Sequence, residues 1–198
     1  MSEEELWGEM CLCILASNVN YETALSAYRQ LQTKGLIDVN NLSDQQLRDI
    51  SSELSRPIFL PLRRDGSYRK YRFPNIRAQN IIAAHSYFYR YNAGIQKMLC
   101  QAVSDVAVRA EMAENVPGIG LKEASNFLRN IKFSENLAII DSHIVNFLRK
   151  FAEVDVDTNV VKREDYLRFE SIIQSISATN KLSLAILDIA VWKFMRGS

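Results

Sequence analysis

Apolar residues recur at helical spacing along most of the 198-residue chain, and this pattern most limits the folds available to it. Ala124, Phe127, Leu128 and Ile131, for example, fall at i, i+3, i+4 and i+7, which places them on one face of a helix. No segment alternates apolar and polar residues as a half-buried strand does, and the breaks between helical segments are short. The sequence therefore predicts an all-helical protein.

Capping residues, glycines and prolines indicate where these helices begin and end. Before the glycine-rich segment 116–120, helices are predicted over 4–16, 21–32, 44–50, 74–91, 95–103 and 105–113. A helix follows that segment, another starts at Asp141, which is predicted to be its N-cap, and a third contains residues 166–176. The last segment, 182–195, is apolar nearly all round and predicts a fully buried helix. Residues 57–73, with a turn at Asp65-Gly66, and the polar segment 153–162 are predicted to be connections.

Composition and charge favour a soluble intracellular protein. Hydrophobic residues make up 47% and charged residues 24%, and no run approaches the roughly 18 uncharged apolar residues of a membrane span. The three scattered cysteines fit reduced thiols and are too few for the four thiolates of an iron-sulfur cluster. The acidic start of the chain lacks the basic region of a signal peptide, so a cytoplasmic or nucleoid location is expected. A net charge of +1 means that affinity for a polyanion must come from local clusters.

The segment Val116-Pro117-Gly118-Ile119-Gly120 joins two predicted helices in a tight hairpin. Such a hairpin can aim backbone N–H groups at an anion beside a helix N-terminus, and phosphate is the natural ligand. The alternative is that Gly118 and Gly120 only supply the positive φ that a tight turn between helices needs. The glycines alone do not decide between these interpretations.

Lys122 follows the hairpin on the polar face of its helix, and Asp141 begins the next long helix. A desolvated lysine amine can attack a sugar carbon and form a Schiff base, while a carboxylate stabilises the positive charge that develops. The plainer alternatives are a solvated surface lysine and an aspartate that only caps its helix. The two interpretations of Asp141 are compatible with each other.

Residues 9–18 read EMCLCILASN, residues 71–78 read YRFPNIRA and residues 118–130 read GIGLKEASNFLRN. These three segments resemble the helix-hairpin-helix (HhH-GPD) DNA glycosylase superfamily, and in particular the small archaeal-type enzymes of its 8-oxoguanine glycosylase/AP lyase branch. The resemblance implies two helical lobes around a DNA-binding cleft, with the helix-hairpin-helix motif at about 105–131. One lobe would contain residues 19–134, and the other residues 1–18 and 135–198. It also implies a monomer that binds damaged double-stranded DNA and does not bind a membrane.

The resemblance also assigns roles to individual residues. Lys122 matches the lysine that attacks C1′ of the damaged nucleoside, displaces the base and forms the imine from which the strand is β-eliminated. Asp141 matches the acid that stabilises the oxocarbenium character of the sugar and orients the lysine. The chemistry needs no metal, and the hairpin allows a monovalent cation. The other matched positions are the hairpin glycines Gly118 and Gly120 at the DNA backbone, His143 near a phosphate, Asn18 in the gap left by the flipped base, and Trp192 in the base pocket.

Two points stay open beside this resemblance. The basic stretch that includes Arg72 and Arg77 suits phosphate contacts beside the lesion, although it can equally be a solvated loop. The final residues, 192–198, lack the lysine-ending tail through which that branch contacts the oxidised purine. The same chemistry on another oxidised base therefore remains an alternative, as does a non-catalytic helix-hairpin-helix module that binds DNA through its phosphates alone.

Overall fold

A computed structural model describes residues 1–40, 42–152 and 162–197 of the chain. Within these residues the chain forms helices and no strand, apart from one isolated β-bridge between Phe59 and Arg69, so the all-helical prediction is confirmed. The α-helices are α1 (Glu3–Ala16), α2 (Tyr21–Thr33), α3 (Asp44–Leu54), α4 (Pro74–His85), α5 (Ile95–Gln101), α6 (Asp105–Asn115), α7 (Leu121–Asn130), α8 (Ser142–Phe151), α9 (Arg163–Thr179) and α10 (Leu184–Gly197).

Local signals in the sequence account for most of these boundaries. Ser2 and Ser43 each form a capping box at the start of α1 and α3, and Pro74 occupies the first turn of α4, where its missing N–H is not needed. The predicted helix over 74–91 is continuous, but it changes from α to π geometry over Ser86–Tyr91. The predicted turn at Asp65-Gly66 is also present, with Gly66 at φ +80°.

Two clusters of buried apolar side chains organise the described residues. The first cluster contains side chains of α1 to α7 and ends at Leu137, and the second begins at Ala138 and contains side chains of α8, α9 and α10. Along the chain, residues 137–140 therefore connect the first cluster to the second. No helix among the described residues combines the length and the apolarity needed to cross a bilayer.

The buried side chains of α1 belong to the first cluster. These clusters do not define lobes, so the assignment of residues 1–18 to the same lobe as residues 135–198 stays a prediction. Most of α1 is buried because it contacts α2, α4, α5 and α7 together. Most of the predicted polar connection 153–162 lies outside the described residues.

The prediction of a fully buried last helix is wrong. Leu184, Leu187 and Val191 of α10 are buried, but Ile186 and Ile189 are about half exposed. The reason is that α10 packs on α8 and α9 along one face only. The apolar residues on its remaining surface therefore stay in contact with solvent or face a cavity.

Candidate active site

The hairpin between α6 and α7 has room for no residue other than glycine at position 118. The φ of Gly118 is +84°, and a Cβ built there would lie 2.7 Å from Cγ and 2.9 Å from Cβ of Asn80 on α4. Both the backbone conformation and the close approach of α4 exclude a side chain. Gly120 has an ordinary φ of −101°. Its N–H donates to Oε2 of Glu123 at 3.3 Å, so in this structure that N–H is occupied by the protein rather than offered to a phosphate.

Lys122 lies in the first turn of α7, partly exposed, with its Nζ 3.2 Å from Oε1 of Glu123. Burial would raise the pKa of the Glu123 carboxyl, but the Lys122 ammonium beside it and hydrogen bonds to that carboxylate hold its pKa below its ordinary value. Glu123 is thus a carboxylate that caps the hairpin with one oxygen and pairs with the lysine through the other.

Asp141 is the N-cap of α8, as predicted. Its Oδ1 accepts hydrogen bonds from the backbone N–H groups of His143 and Ile144, both at 2.9 Å. The cap fixes the side chain at the start of α8, and Asp141 lines two cavities there. A role in capping and a role at the cavity are therefore compatible.

A cavity of about 1080 Å³ lies between the end of α1, the start of α7 and the start of α8. It brings together six of the residues predicted as site residues from separate parts of the chain: Asn18, Gly120, Lys122, Asp141, His143 and Trp192. Asn18 is exposed and has a φ of +57°. The Trp192 ring meets the His143 ring edge to face, with centroids 6.4 Å apart.

The two predicted arginine contacts have different positions. Arg72 is exposed, with its guanidinium 4.8 Å from the centroid of the Phe73 ring. Arg77 is only 7% exposed, and its Nη2 donates to the carbonyl oxygen of Ser17 at 2.6 Å. A phosphate contact from Arg77 does not fit this burial, and the prediction is corrected accordingly. The side chain instead holds the end of α1 next to Asn18.

Asp188 on α10 is a site residue that sequence reasoning missed. It lines a second cavity of about 300 Å³, together with Arg129, Asp141 and Trp192. Asp188 is only 7% exposed, and it forms an ion pair with Arg129 through Oδ2, while its Oδ1 is buried without a hydrogen-bond partner among the described residues. Burial raises the pKa of this carboxyl against the opposing effect of Arg129. The signal in the sequence was a single acid within an otherwise apolar helical segment.

The chain matches one protein family over most of its length. The family of 8-oxoguanine DNA glycosylases matches residues 1–182. The chain belongs to this family. Among similar relatives, the 8-oxoguanine DNA glycosylase/AP lyase of Saccharolobus solfataricus is 34% identical over 196 residues, which cover 97% of this chain and 83% of the relative. That of Metallosphaera sedula is 30% identical over 197 residues, which cover 99% of this chain and 85% of the relative.

Solved structures of the same family have the same fold. The 8-oxoguanine glycosylase/lyase of Methanocaldococcus jannaschii, in complex with a 15mer DNA containing 8-oxoguanine, superposes with a TM-score of 0.78 at 27% identity and covers all of this chain and 83% of that one. The 8-oxoguanine DNA glycosylase of Thermotoga maritima gives a TM-score of 0.74 at 25% identity, over all of this chain and 82% of that one. The predicted family and fold are thereby confirmed.

Proposed function

We propose that this protein is a bifunctional DNA glycosylase/AP lyase that excises 8-oxoguanine from duplex DNA and then cleaves the strand. The observation that carries the proposal is that Lys122 and Asp141 line one cavity in a chain of the 8-oxoguanine DNA glycosylase family. Relatives that share about a third of its residues are 8-oxoguanine DNA glycosylase/AP lyases.

The chemistry follows from an amine and a carboxylate that share a cavity. Once deprotonated, Nζ of Lys122 attacks C1′ of the nucleoside, and the bond from C1′ to the base breaks with its electron pair leaving on the base, which takes up a proton. Asp141 stabilises the positive charge that develops on the sugar. The ring of the adduct opens to an imine, and loss of a C2′ proton expels the 3′ phosphate. Water then hydrolyses the imine and releases the lysine.

The base must leave the stack before Lys122 can reach C1′. We assign the smaller cavity to the flipped base, because its lining combines an aromatic ring with a buried ion pair. Trp192 offers a face for stacking, and the Asp188 carboxylate in the cavity wall can accept from an N–H group of a purine. Arg129 can donate to a base carbonyl. This combination of one acceptor and one donor suits oxidised guanine, which has both N–H groups and carbonyls, better than adenine, which has no carbonyl.

The remaining parts of the proposal concern how the protein meets DNA. We propose that it acts as an intracellular monomer, with His143 and the hairpin at the backbone of the damaged strand and Asn18 in the gap left by the base. No metal takes part in the reaction, and a monovalent cation binds the hairpin. The exposed Arg72 contacts a phosphate beside the lesion.

Trapping with borohydride tests the proposal, because reduction of the imine links protein and DNA covalently. We expect the wild type to form this adduct with a duplex that contains 8-oxoguanine, and Lys122→Gln to form none. Lys97→Gln, an exposed lysine on α5, serves as the matched control and should trap like the wild type. Adduct formation by Lys122→Gln at the wild-type rate would exclude Lys122 as the nucleophile.

A panel of duplexes separates the proposal from its alternatives. Single-turnover cleavage should be fastest with 8-oxoguanine. Faster cleavage of another oxidised base would keep the chemistry and change the substrate. Salt-sensitive binding without cleavage of any lesion would instead identify a module that only binds DNA.

A further inference from the structure

A buried ionic network joins the helix-hairpin-helix motif to α9. Arg109 of α6 is 1% exposed, and its Nη1 lies 2.5 Å from Oε1 of Glu170 on α9. The same Nη1 lies 3.4 Å from Oγ of Ser125 on α7. Ser125 is one helical turn beyond Lys122, so this network contacts the helix that carries the lysine.

The α9 side of the network also holds the segment that leads into Asp141. Oε1 of Glu170 accepts from the backbone N–H of Ala138 at 3.0 Å. The Tyr166 hydroxyl donates to the Ala138 carbonyl at 2.8 Å and accepts from the Ile140 N–H at 3.4 Å. Since residues 138–140 belong to no helix, these side chains provide partners that a helix would have supplied from its own backbone. Asp141 follows directly.

Stability is a weak explanation for such a network. Removing a charged pair from water is unfavourable, and apolar residues of similar volume often stabilise a fold equally well or better. Apolar contacts have no preferred direction, whereas a hydrogen bond holds a particular donor and acceptor at a set distance and angle. The network lies where the first apolar cluster gives way to the second, between Leu137 and Ala138. At this place the network adds hydrogen bonds of fixed direction to packing that is otherwise apolar.

We infer that Arg109, Glu170 and Tyr166 are positioning residues that hold Asp141 at its working distance from Lys122. These three side chains connect the two parts of the site. Arg109 hydrogen-bonds Ser125 on the helix that carries Lys122, whereas Glu170 and Tyr166 hydrogen-bond the backbone of residues 138 and 140, just before Asp141. The inference rests on the proposed function, because it assigns these residues to the reaction of that same site.

The first test measures whether Tyr166 acts through Asp141. Tyr166→Phe removes only the hydroxyl, and misplacing a reacting group by about 1 Å can lower a rate about 100-fold. We expect single-turnover excision at saturating enzyme to fall between about 10- and 100-fold, while the dissociation constant for lesion DNA changes less than about 3-fold. In an Asp141→Asn background the same substitution should have almost no further effect. Equal losses in both backgrounds, or no loss in the wild type, would overturn the inference.

The second test needs no activity. In Tyr166→Phe and Glu170→Gln the amides of Ala138 and Ile140 should exchange hydrogen at least about tenfold faster than in the wild type. Glu53→Gln is the matched control, because Glu53 is also buried and paired with two cations, Lys34 and Arg56, but lies on α3, whose buried apolar side chains belong to the first cluster. The inference would be overturned if the exchange rates of these two amides were unchanged in both site variants, or if Glu53→Gln raised them equally. A wild type that cleaves no lesion would instead reject the proposed function, whatever the exchange rates.

Discussion

Replacing the two hairpin glycines by alanine, one at a time, should have very different effects on stability. In Gly118→Ala the alanine must adopt φ +84°, and the left-handed region costs an L-residue about 1–2 kcal/mol. Its Cβ would also lie 2.7 Å from Cγ of Asn80, an overpacked contact of the kind that costs about 1–3 kcal/mol. Together these effects predict a loss of about 2–5 kcal/mol in the free energy of unfolding.

Gly120→Ala is the matched comparison within the same turn. Its φ of −101° suits any residue, and the new Cβ would lie 3.2 Å from Oε2 of Glu123, the end of a flexible side chain. The free energy of unfolding should stay within about 1 kcal/mol of the wild type. Urea denaturation measures both variants under the same conditions.

A second substitution separates the clash from the backbone strain. Asn80→Ala removes the two closest atoms that meet the new Cβ, Nδ2 and Cγ, and leaves only the Asn80 Cβ at 2.9 Å. Gly118→Ala should therefore cost less in the Asn80→Ala background than in the wild type, by about 1 kcal/mol or more. Equal losses for Gly118→Ala and Gly120→Ala would refute the reasoning, because they would show that neither φ nor the approach of α4 distinguishes the glycines.

Three further predictions follow from the site. Asp141→Ala removes the acceptor of two backbone N–H groups and should cost about 1 kcal/mol in thermal denaturation, whereas Asp141→Asn keeps the cap; both should excise the base much more slowly than the wild type, at a rate that single-turnover assays still measure. Glu123 has a lowered pKa, so its ionised form stabilises the fold: Glu123→Gln should be less stable than the wild type at pH 7, and the difference should vanish as the pH falls below the ordinary value of 4.5 and through the folded pKa. Trp192 is 41% exposed and Trp7 only 2%, so acrylamide should quench mainly Trp192; lesion duplex should protect it, and Trp192→Phe should show no such protection.

Structural features that depend on the spacing of nearby residues could be predicted from the sequence. The buried stripe of α7 and the cap at Asp141 follow from neighbours within one turn, and both are present. Arg77 was misjudged because a sequence shows charge but not direction, and its side chain turns inward to a carbonyl at the end of α1. The exposure of Ile186 on α10 could not be predicted, because it depends on which neighbours reach the helix. Asp188 was overlooked for the same reason, since its importance comes from its cavity and from Arg129.

The packing of α1 has a consequence for synthesis on the ribosome. Asn126 and Asn130 of α7 donate hydrogen bonds to Cys13 and Glu9 of α1, which lie 113 and 121 residues earlier in the chain. Translation adds about 5–20 residues per second, so α1 waits on the order of ten seconds before α7 exists to cover it. During that interval a helix with nine residues that end up buried is without one of its final neighbours. The surface of α1 that α7 covers therefore stays uncovered in the nascent chain until the helix that carries Lys122 emerges.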